Sequence, residues 1–166
     1  MKKYNNLIFS IIYSILYLVL FLTLFMPNID INLNKKFNAF NIAGLPYNDN
    51  GTVVYFFEFS SMNMFIILLI LIGFIISLLS LLKSVQKYNK QILIILLCIS
   101  LFIKIFTLFK ISFTHIADAD FELVARNNNK YKLLYGAYVT STISFVIAIL
   151  NVIQFVKINN DNYRLH

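Results

Sequence analysis

The chain is poor in the residues that build disulfide-bonded or catalytic domains. It has one cysteine, two prolines, four glycines and no tryptophan, and only 13% of its 166 residues are charged. Because a disulfide needs two thiols, Cys98 has no intramolecular partner, which excludes thiol oxidoreductases that work through a cysteine pair. Asp and Glu number seven in total, and all lie outside the long apolar runs.

Long apolar runs dominate the sequence instead, and apolar residues make up 60% of it. Each run has about 20 residues, enough at 1.5 Å rise per residue to cross a ~30 Å hydrocarbon core. We therefore expect an all-α membrane protein, a four-transmembrane-helix up-down bundle forming a single domain over residues 1–166. The four predicted spans lie at about 7–26, 62–82, 91–111 and 134–156. The loops between them are 27–61, 83–90 and 112–133.

The charge distribution predicts the orientation of these spans. The formal net charge is +7. With a cytoplasmic amino terminus the inner segments carry a net +6, the outer loops a net −1, and Lys104 and Lys110 in the third span the remaining +2. The positive-inside rule then places both termini and loop 83–90 in the cytoplasm. We expect the excess charge to contact anionic lipids on the inner face, not nucleic acid. The inner basic residues are Lys2, Lys3, Lys83, Lys87, Lys90, Lys157 and Arg164.

The amino-terminal segment also has some features of a signal peptide, since Lys2 and Lys3 precede an apolar stretch. The stretch is too long for a typical signal-peptide core, and Met26-Pro27-Asn28 offers no small-x-small cleavage pattern. We interpret it as a retained first span. The ratio of 12 Lys to 2 Arg suggests an AT-rich genome. A cell-membrane protein of a low-GC bacterium is the simplest source, with an AT-rich protist as the alternative.

The first outer loop changes from a helical to an alternating pattern. Apolar and polar side chains alternate over residues 29–34, which is typical of a half-buried strand, and Phe40 with Ile42 predicts a second short strand. Asn50-Gly51 is a favoured hairpin turn, and residues 52–59 are rich in Val, Tyr and Phe. We therefore expect a small extracytoplasmic antiparallel β-sheet in this loop.

Two short motifs in the outer loops match patterns of functional sites. His115, Asp118, Asp120 and Glu122 are metal-compatible, but no specific metal motif has the spacing H-x2-D-x-D-x-E, and a solvated acidic loop is the simpler interpretation. Asn50-Gly51-Thr52 is formally a glycosylation sequon, which we interpret as the hairpin turn. The sequence thus predicts no metal site, no cofactor and no catalytic residues.

Two rows of residues at i, i+4 spacing predict a helix contact. Small residues let helix backbones approach closely in lipid, and the first and last helices of an up-down bundle are neighbours. We expect an aromatic ridge on the first helix to pack into a small-residue row on the last. Alternatively, the aromatics face lipid and the small row contacts another helix or another subunit. The aromatic ridge is Phe9, Tyr13, Tyr17, Phe21 and Phe25, and the small-residue row is Gly136, Thr140, Ser144 and Ala148.

Lys104 is the one ionisable residue deep inside a predicted span. A charge there costs ~2.5 to 3.5 kcal/mol on insertion scales, so it should face protein or water. Ser100 and Thr107, at i−4 and i+3, share its helix face. A structural role, with the ammonium snorkelling toward polar groups, is the favoured interpretation. The alternative is an anion or proton pathway, or a counter-ion for a substrate. The candidate partners are Glu58 and the hydroxyls of Thr140, Thr142 and Ser144.

The plan of four spans, a longer first outer loop with strand character and a shorter second outer loop resembles the claudin-like tetraspan architecture. Claudins have a tryptophan and paired cysteines in the first outer loop, which this chain lacks, so the resemblance does not imply a junction or channel function. The chain also resembles small four-span proteins of low-GC bacteria. There the first helix ends at an outer proline, as in Leu24-Phe25-Met26-Pro27, and the last begins as in Tyr135-Gly136-Ala137-Tyr138.

Three classes of function are compatible with these residues. The first is a non-enzymatic membrane tetraspan that acts as a scaffold, accessory or protective subunit of a membrane complex, with other membrane proteins or further copies of itself as partners. The second is a small transporter or channel subunit that uses Lys104. The third is a membrane enzyme. Small four-span drug exporters rely on an intramembrane carboxylate, which is missing from these spans, and clustered catalytic groups are missing too. We favour the first class.

Overall fold

The computed structural model of the chain describes residues 2–31, 36–49, 52–54, 57–82, 85, 88–109 and 131–163. Within these residues the protein is mostly helical, as predicted, and the sheet content is small. The helices are α1 (Lys2–Thr23), α2 (Ala39–Ile42), α3 (Ser61–Leu79), α4 (Asn89–Leu108) and α5 (Tyr135–Tyr163). The strands are β1 (Ile29–Ile31), β2 (Lys36–Phe37), β3 (Tyr47–Asp49), β4 (Thr52–Val54) and β5 (Tyr131–Leu133).

The four long helices pack in a ring, in which α1 and α4 each contact both α3 and α5. The Ser10 hydroxyl in the first half of α1 donates to the Ser80 carbonyl just after α3, at 3.4 Å. Phe21, later in α1, stacks on Phe74, earlier in α3, so these two helices are antiparallel. The hydroxyls of Thr23 and Thr140 are 2.7 Å apart, so the end of α1 meets the start of α5. We call the end where α1 finishes and α5 begins the strand end, and the opposite end the terminal end.

Local sequence explains where the helices begin and end. Ser60 is the N-cap of α3, and its side chain accepts a hydrogen bond from the Asn63 N–H, which satisfies one free donor of the first turn. Pro27 follows α1 closely and cannot continue a helix, because its ring removes an N–H donor. α5 continues to Tyr163, past the predicted end of the fourth span at residue 156.

The strands lie at the strand end and form two small antiparallel sheets. β1 is central in the first sheet, with Ile29 opposite Phe37 of β2 and opposite Leu133 of β5. β3 and β4 form the second sheet, with Asp49 opposite Thr52. The first sheet therefore ties the segment after α1 to the segment before α5. The predicted turn at Asn50-Gly51 and residues 55 and 56 of the predicted returning strand lie outside the described residues.

The prediction of a second strand at Phe40 and Ile42 is wrong, because these residues belong to helix α2. The Asn38 side-chain oxygen accepts from the Asn41 N–H at 3.1 Å, and the Asn41 side-chain oxygen accepts from the Asn38 N–H at 3.3 Å. This reciprocal pair is a capping box, which stabilises the start of a helix. The Ala39 N–H donates to the Leu24 carbonyl, so α2 lies directly against the end of α1.

Three helices among the described residues are long and apolar enough to cross a membrane. They are Ser61–Leu79, Asn89–Leu108 and Tyr135–Asn159, and the apolar stretch Leu7–Thr23 of α1 is shorter. These lengths and compositions are those of a membrane protein.

The long helices are apolar on their outer surface as well as in their buried core. Large apolar side chains face outward on every long helix, among them Ile15 on α1, Ile75 on α3 and Phe102 on α4. Most hydroxyls of the long helices point inward, and Ser77 and Thr107 are fully buried. A soluble bundle has its apolar stripe inside and its polar face outside. This surface therefore suits an apolar surrounding medium.

Candidate functional site

Lys104 lies on α4 at its seam with α5 and is half-buried. Its Nζ atom is 3.4 Å from the centroid of the Phe145 ring on α5, which is a cation–π contact. Among the described residues its ammonium forms no ion pair with Glu58, whose side chain is exposed. The ammonium therefore contacts the Phe145 ring, whereas the sequence predicted a carboxylate or hydroxyl as its partner.

Ser100 and Thr107 were expected to share the face of Lys104, and they lie deeper than the lysine does. Both are fully buried. The Ser100 hydroxyl donates to the Leu97 carbonyl at 2.9 Å, and the Thr107 hydroxyl donates to the Ile103 carbonyl at 2.6 Å. Because both hydroxyls donate within their own helix, they extend no continuous polar path from Lys104 along α4.

The aromatic ridge packs mainly against α3. A Cβ atom added at Gly73 would overlap the Tyr17 ring, so the ring lies directly on this glycine. Phe21 stacks on Phe74 with ring centroids 6.2 Å apart. Tyr13 and Tyr17 are buried, whereas Phe25 is exposed. The Tyr17 hydroxyl also donates to the Leu96 carbonyl at 3.3 Å, so this side chain joins α1 to α4 as well as to α3.

The first two residues of the small-residue row of α5 contact the α1 side, but they meet residues other than the ridge. The Gly136 N–H donates to the Pro27 carbonyl at 3.0 Å, and a Cβ at Gly136 would overlap that oxygen. The Thr140 hydroxyl contacts the Thr23 hydroxyl. Ser144 and Ala148 continue the row and are buried. The structure therefore pairs the ridge with α3, and pairs the Gly136 end of the row with the segment at the end of α1.

A second group of polar side chains, which was not predicted from the sequence, lies inside the bundle near the terminal end. We call it the terminal polar layer. Its serines bond across the α1–α3 contact, since the Ser14 hydroxyl donates to the Ser77 carbonyl at 3.1 Å. Two of its amides, Asn151 and Gln154, lie inside an apolar run of α5, which is the signal that could have revealed it. The layer consists of Ser10, Tyr13, Ser14, Ser77, Ser80, Asn89, Asn151 and Gln154.

Several atoms of the terminal polar layer have no hydrogen-bond partner among the described residues. They are the hydroxyl of Tyr13, the side-chain nitrogen of Asn89, both amide atoms of Asn151 and the side-chain oxygen of Gln154. Tyr13, Asn151 and Gln154 are each at most 2% exposed. Unpartnered buried polar groups are rare in folded proteins, and each calls for a physical explanation.

The predicted acidic run in the second outer loop, His115 to Glu122, lies outside the described residues. In the part of the chain that the structure describes, no three His, Cys, Asp or Glu side chains come together as a set of metal ligands. Cys98 is exposed on the surface of α4.

No protein-family model matches the chain, and no curated protein or solved structure matches it either. The resemblance to claudin-like tetraspans and to small four-span bacterial proteins therefore stays a prediction. The function has to be argued from the described residues alone.

Proposed function

We propose that this protein is a four-span integral membrane protein of the cell membrane that acts, without catalysis, as a scaffold, accessory or protective subunit of a membrane complex. The observation that carries the membrane placement is the apolar outer surface of all four long helices. Exposed apolar area of this extent suits lipid, whereas monomeric soluble proteins rarely expose large contiguous apolar patches.

The first helix crosses the membrane together with the other three. Its exposed apolar residues recur every three or four positions and form one continuous stripe, like the lipid faces of α3, α4 and α5. Its apolar stretch Leu7–Thr23 is about 26 Å long at 1.5 Å rise per residue, which is at the lower end of the range for transmembrane helices. The stripe on α1 is Ile8, Ile11, Ile15, Leu18 and Leu22.

The terminal end faces the cytoplasm in this proposal. Lys90 at the start of α4 and Lys157 near the end of α5 are both exposed there. Lysines at this level attract anionic headgroups, by roughly 1 kcal/mol per residue near the surface, and satisfy the positive-inside rule. The two small sheets and α2 then form the extracytoplasmic surface, which is the surface available to an outer partner.

A structural role for Lys104 supports the scaffold over the transporter. Its ammonium contacts an aromatic ring at a helix seam, and its neighbours Ser100 and Thr107 donate to carbonyls of their own helix. A pathway for ions would need polar groups in sequence along the bundle. The transporter or channel subunit stays the second candidate, because a half-buried intramembrane cation is a common feature of substrate pathways.

A substitution at Lys104 separates the two candidates. A methionine there has similar length and no charge, so for the scaffold Lys104→Met keeps the fold and the set of membrane proteins that co-purify in mild detergent. For the transporter it abolishes ion- or substrate-dependent flux in proteoliposomes that the wild type carries. Selective loss of flux with an intact fold would put the transporter first.

A double-mutant cycle tests the structural contact itself. Phe145→Leu should cost about 0.5–2 kcal/mol of stability in the wild type, the range for a cation–π pair, and nearly nothing in the Lys104→Met background. Glu58→Gln is the matched control, and its effect should add to that of Lys104→Met because these two side chains form no ion pair. Coupling of Lys104 to Glu58 in place of Phe145 would contradict the assignment.

A further inference from the structure

Contacts between helices fix the depth of each residue in the terminal polar layer. The Thr23–Thr140 contact aligns α1 with α5. Tyr13 lies ten residues before Thr23 and Asn151 lies eleven residues after Thr140, which at 1.5 Å rise puts both about 15–17 Å from that contact. Because the two helices are antiparallel, Tyr13 and Asn151 lie at one level of the bundle.

A second polar level lies about one turn closer to the terminal end. The bond from Tyr17 to the Leu96 carbonyl aligns the parallel helices α1 and α4, and Ser10 and Asn89 each lie seven residues before these partners. Gln154, one turn past Asn151 on α5, belongs to the same level. Three helices thus bring unpartnered amides and a phenol hydroxyl into two adjacent layers of the interior.

The chemistry of these atoms defines what can satisfy them. The nitrogens of Asn89 and Asn151 are donors, the oxygens of Asn151 and Gln154 are acceptors, and the Tyr13 hydroxyl is both. A cation would satisfy the acceptors and leave the donors unpaired, and an anion would do the reverse. Water donates and accepts, and buried water typically makes about three hydrogen bonds to such groups.

The interior is closed on one side of the layer. Toward the strand end the next level holds Tyr17, Leu96 and Ile147, all fully buried, and the Tyr17 hydroxyl is already bonded to Leu96. Toward the terminal end α3 finishes at Leu79 and α4 begins at Asn89, so the layer lies at the last turn of α3 and the first turn of α4. The terminal end is therefore the nearer end of the bundle for these polar groups.

We propose that the terminal polar layer is a hydrated vestibule. Water enters from the terminal end, bonds to Tyr13, Asn151 and Gln154, and is excluded from the outer half of the bundle by the apolar level at Tyr17 and Leu96. The membrane placement under the proposed function decides which aqueous phase supplies the water, namely the cytoplasm. The vestibule itself follows from the buried groups of the bundle.

Hydroxyl-radical labelling of the wild-type protein in lipid nanodiscs tests the vestibule, because radicals generated from water oxidise aromatic side chains beside that water. Tyr13 and Tyr17 are a matched pair, one turn apart on α1 and both buried. We expect Tyr13 to be oxidised at least tenfold faster than Tyr17. Equal slow oxidation of the two tyrosines would overturn the proposal.

In the same experiment, oxidation of Phe102 tests the membrane placement separately from the vestibule. Phe102 is 49% exposed near the middle of α4, so in a bilayer it faces lipid and stays unlabelled. Rapid oxidation of Phe102 would show that the surface of the bundle is in water. That result would contradict the proposed membrane placement, but it would leave the comparison of Tyr13 with Tyr17 as a valid test of the vestibule.

A variant gives an independent readout. In a dry layer Asn151→Leu removes an unpartnered amide and raises the melting temperature, since replacing an unsatisfied polar group by an apolar one of similar shape is stabilising. In a hydrated layer the leucine displaces bonded water, so the melting temperature does not rise and oxidation of Tyr13 falls severalfold. A raised melting temperature with unchanged Tyr13 labelling would overturn the vestibule.

Discussion

At the scale of single residues, one tight helix contact depends on Tyr17 and Gly73. The ring occupies the space where any larger residue at position 73 would place its Cβ, and its hydroxyl reaches the Leu96 carbonyl of α4. One side chain therefore holds three helices together. The sequence predicted that this tyrosine would meet a small residue, but it assigned that residue to the last helix, because a lone glycine inside an apolar run has no neighbours that mark it.

Gly73→Ala should destabilise the protein although alanine favours helices. The added methyl group forces the Tyr17 ring to move, and overpacking of this kind costs about 1–3 kcal/mol, more than the ~1 kcal/mol that alanine gains over glycine in a helix. The measurement is the free energy of unfolding in detergent. Ile72→Ala, at an exposed neighbouring position, should change it by less than about 0.5 kcal/mol.

The double variant of Gly73→Ala with Tyr17→Leu identifies the cause. If the methyl group clashes with the ring, the double variant loses less stability than the sum of the single variants. Strictly additive losses, or a Gly73→Ala protein as stable as the wild type, would contradict the contact.

At the scale of elements, the long helices were predictable because length and apolarity are local properties of the sequence. α2 was missed for a local reason as well, since the capping pair Asn38 and Asn41 outweighed the alternating pattern of Phe40 and Ile42. β5 was missed for a different reason. It pairs with β1, about a hundred residues earlier in the chain, and no nearby residue indicates such a partner.

The packing of α5 depends on the small-residue row. Ser144 is fully buried, so a larger side chain there has to displace its neighbours. Its hydroxyl donates to the Thr140 carbonyl of its own helix at 2.7 Å. Ser144→Leu should therefore lower the melting temperature in detergent by several degrees, the shift expected for about 1–3 kcal/mol of overpacking. Ile143→Leu is the control, because it conserves volume on a partly buried face. Equal shifts in melting temperature for the two variants would show that the small-residue row is not critical for the packing of α5.

At the scale of the whole molecule, the distribution of polar and apolar side chains follows from the medium. Lipid replaces water around the helices, so the apolar stripes face outward and most hydroxyls and amides of the long helices face inward. Of the candidate sites, Lys104 was visible in the sequence because a charge in an apolar run stands out. The terminal polar layer was not, since Ser, Tyr and Asn occur singly in many spans and only the register of the packed helices gathers them.

The central claim is that all four long helices cross the membrane. The most direct test of it is the side of the membrane on which the two termini lie. In a Cys98→Ser background, the single substitutions Asn5→Cys, Asn48→Cys, Lys90→Cys and Asn162→Cys are labelled in intact cells with a membrane-impermeant thiol reagent, and again after permeabilisation. With four spans, only the thiol at position 48 reacts in intact cells, and those at 5, 90 and 162 react after permeabilisation. Labelling at position 5 together with 48 in intact cells would mean that α1 does not cross, and would contradict the account.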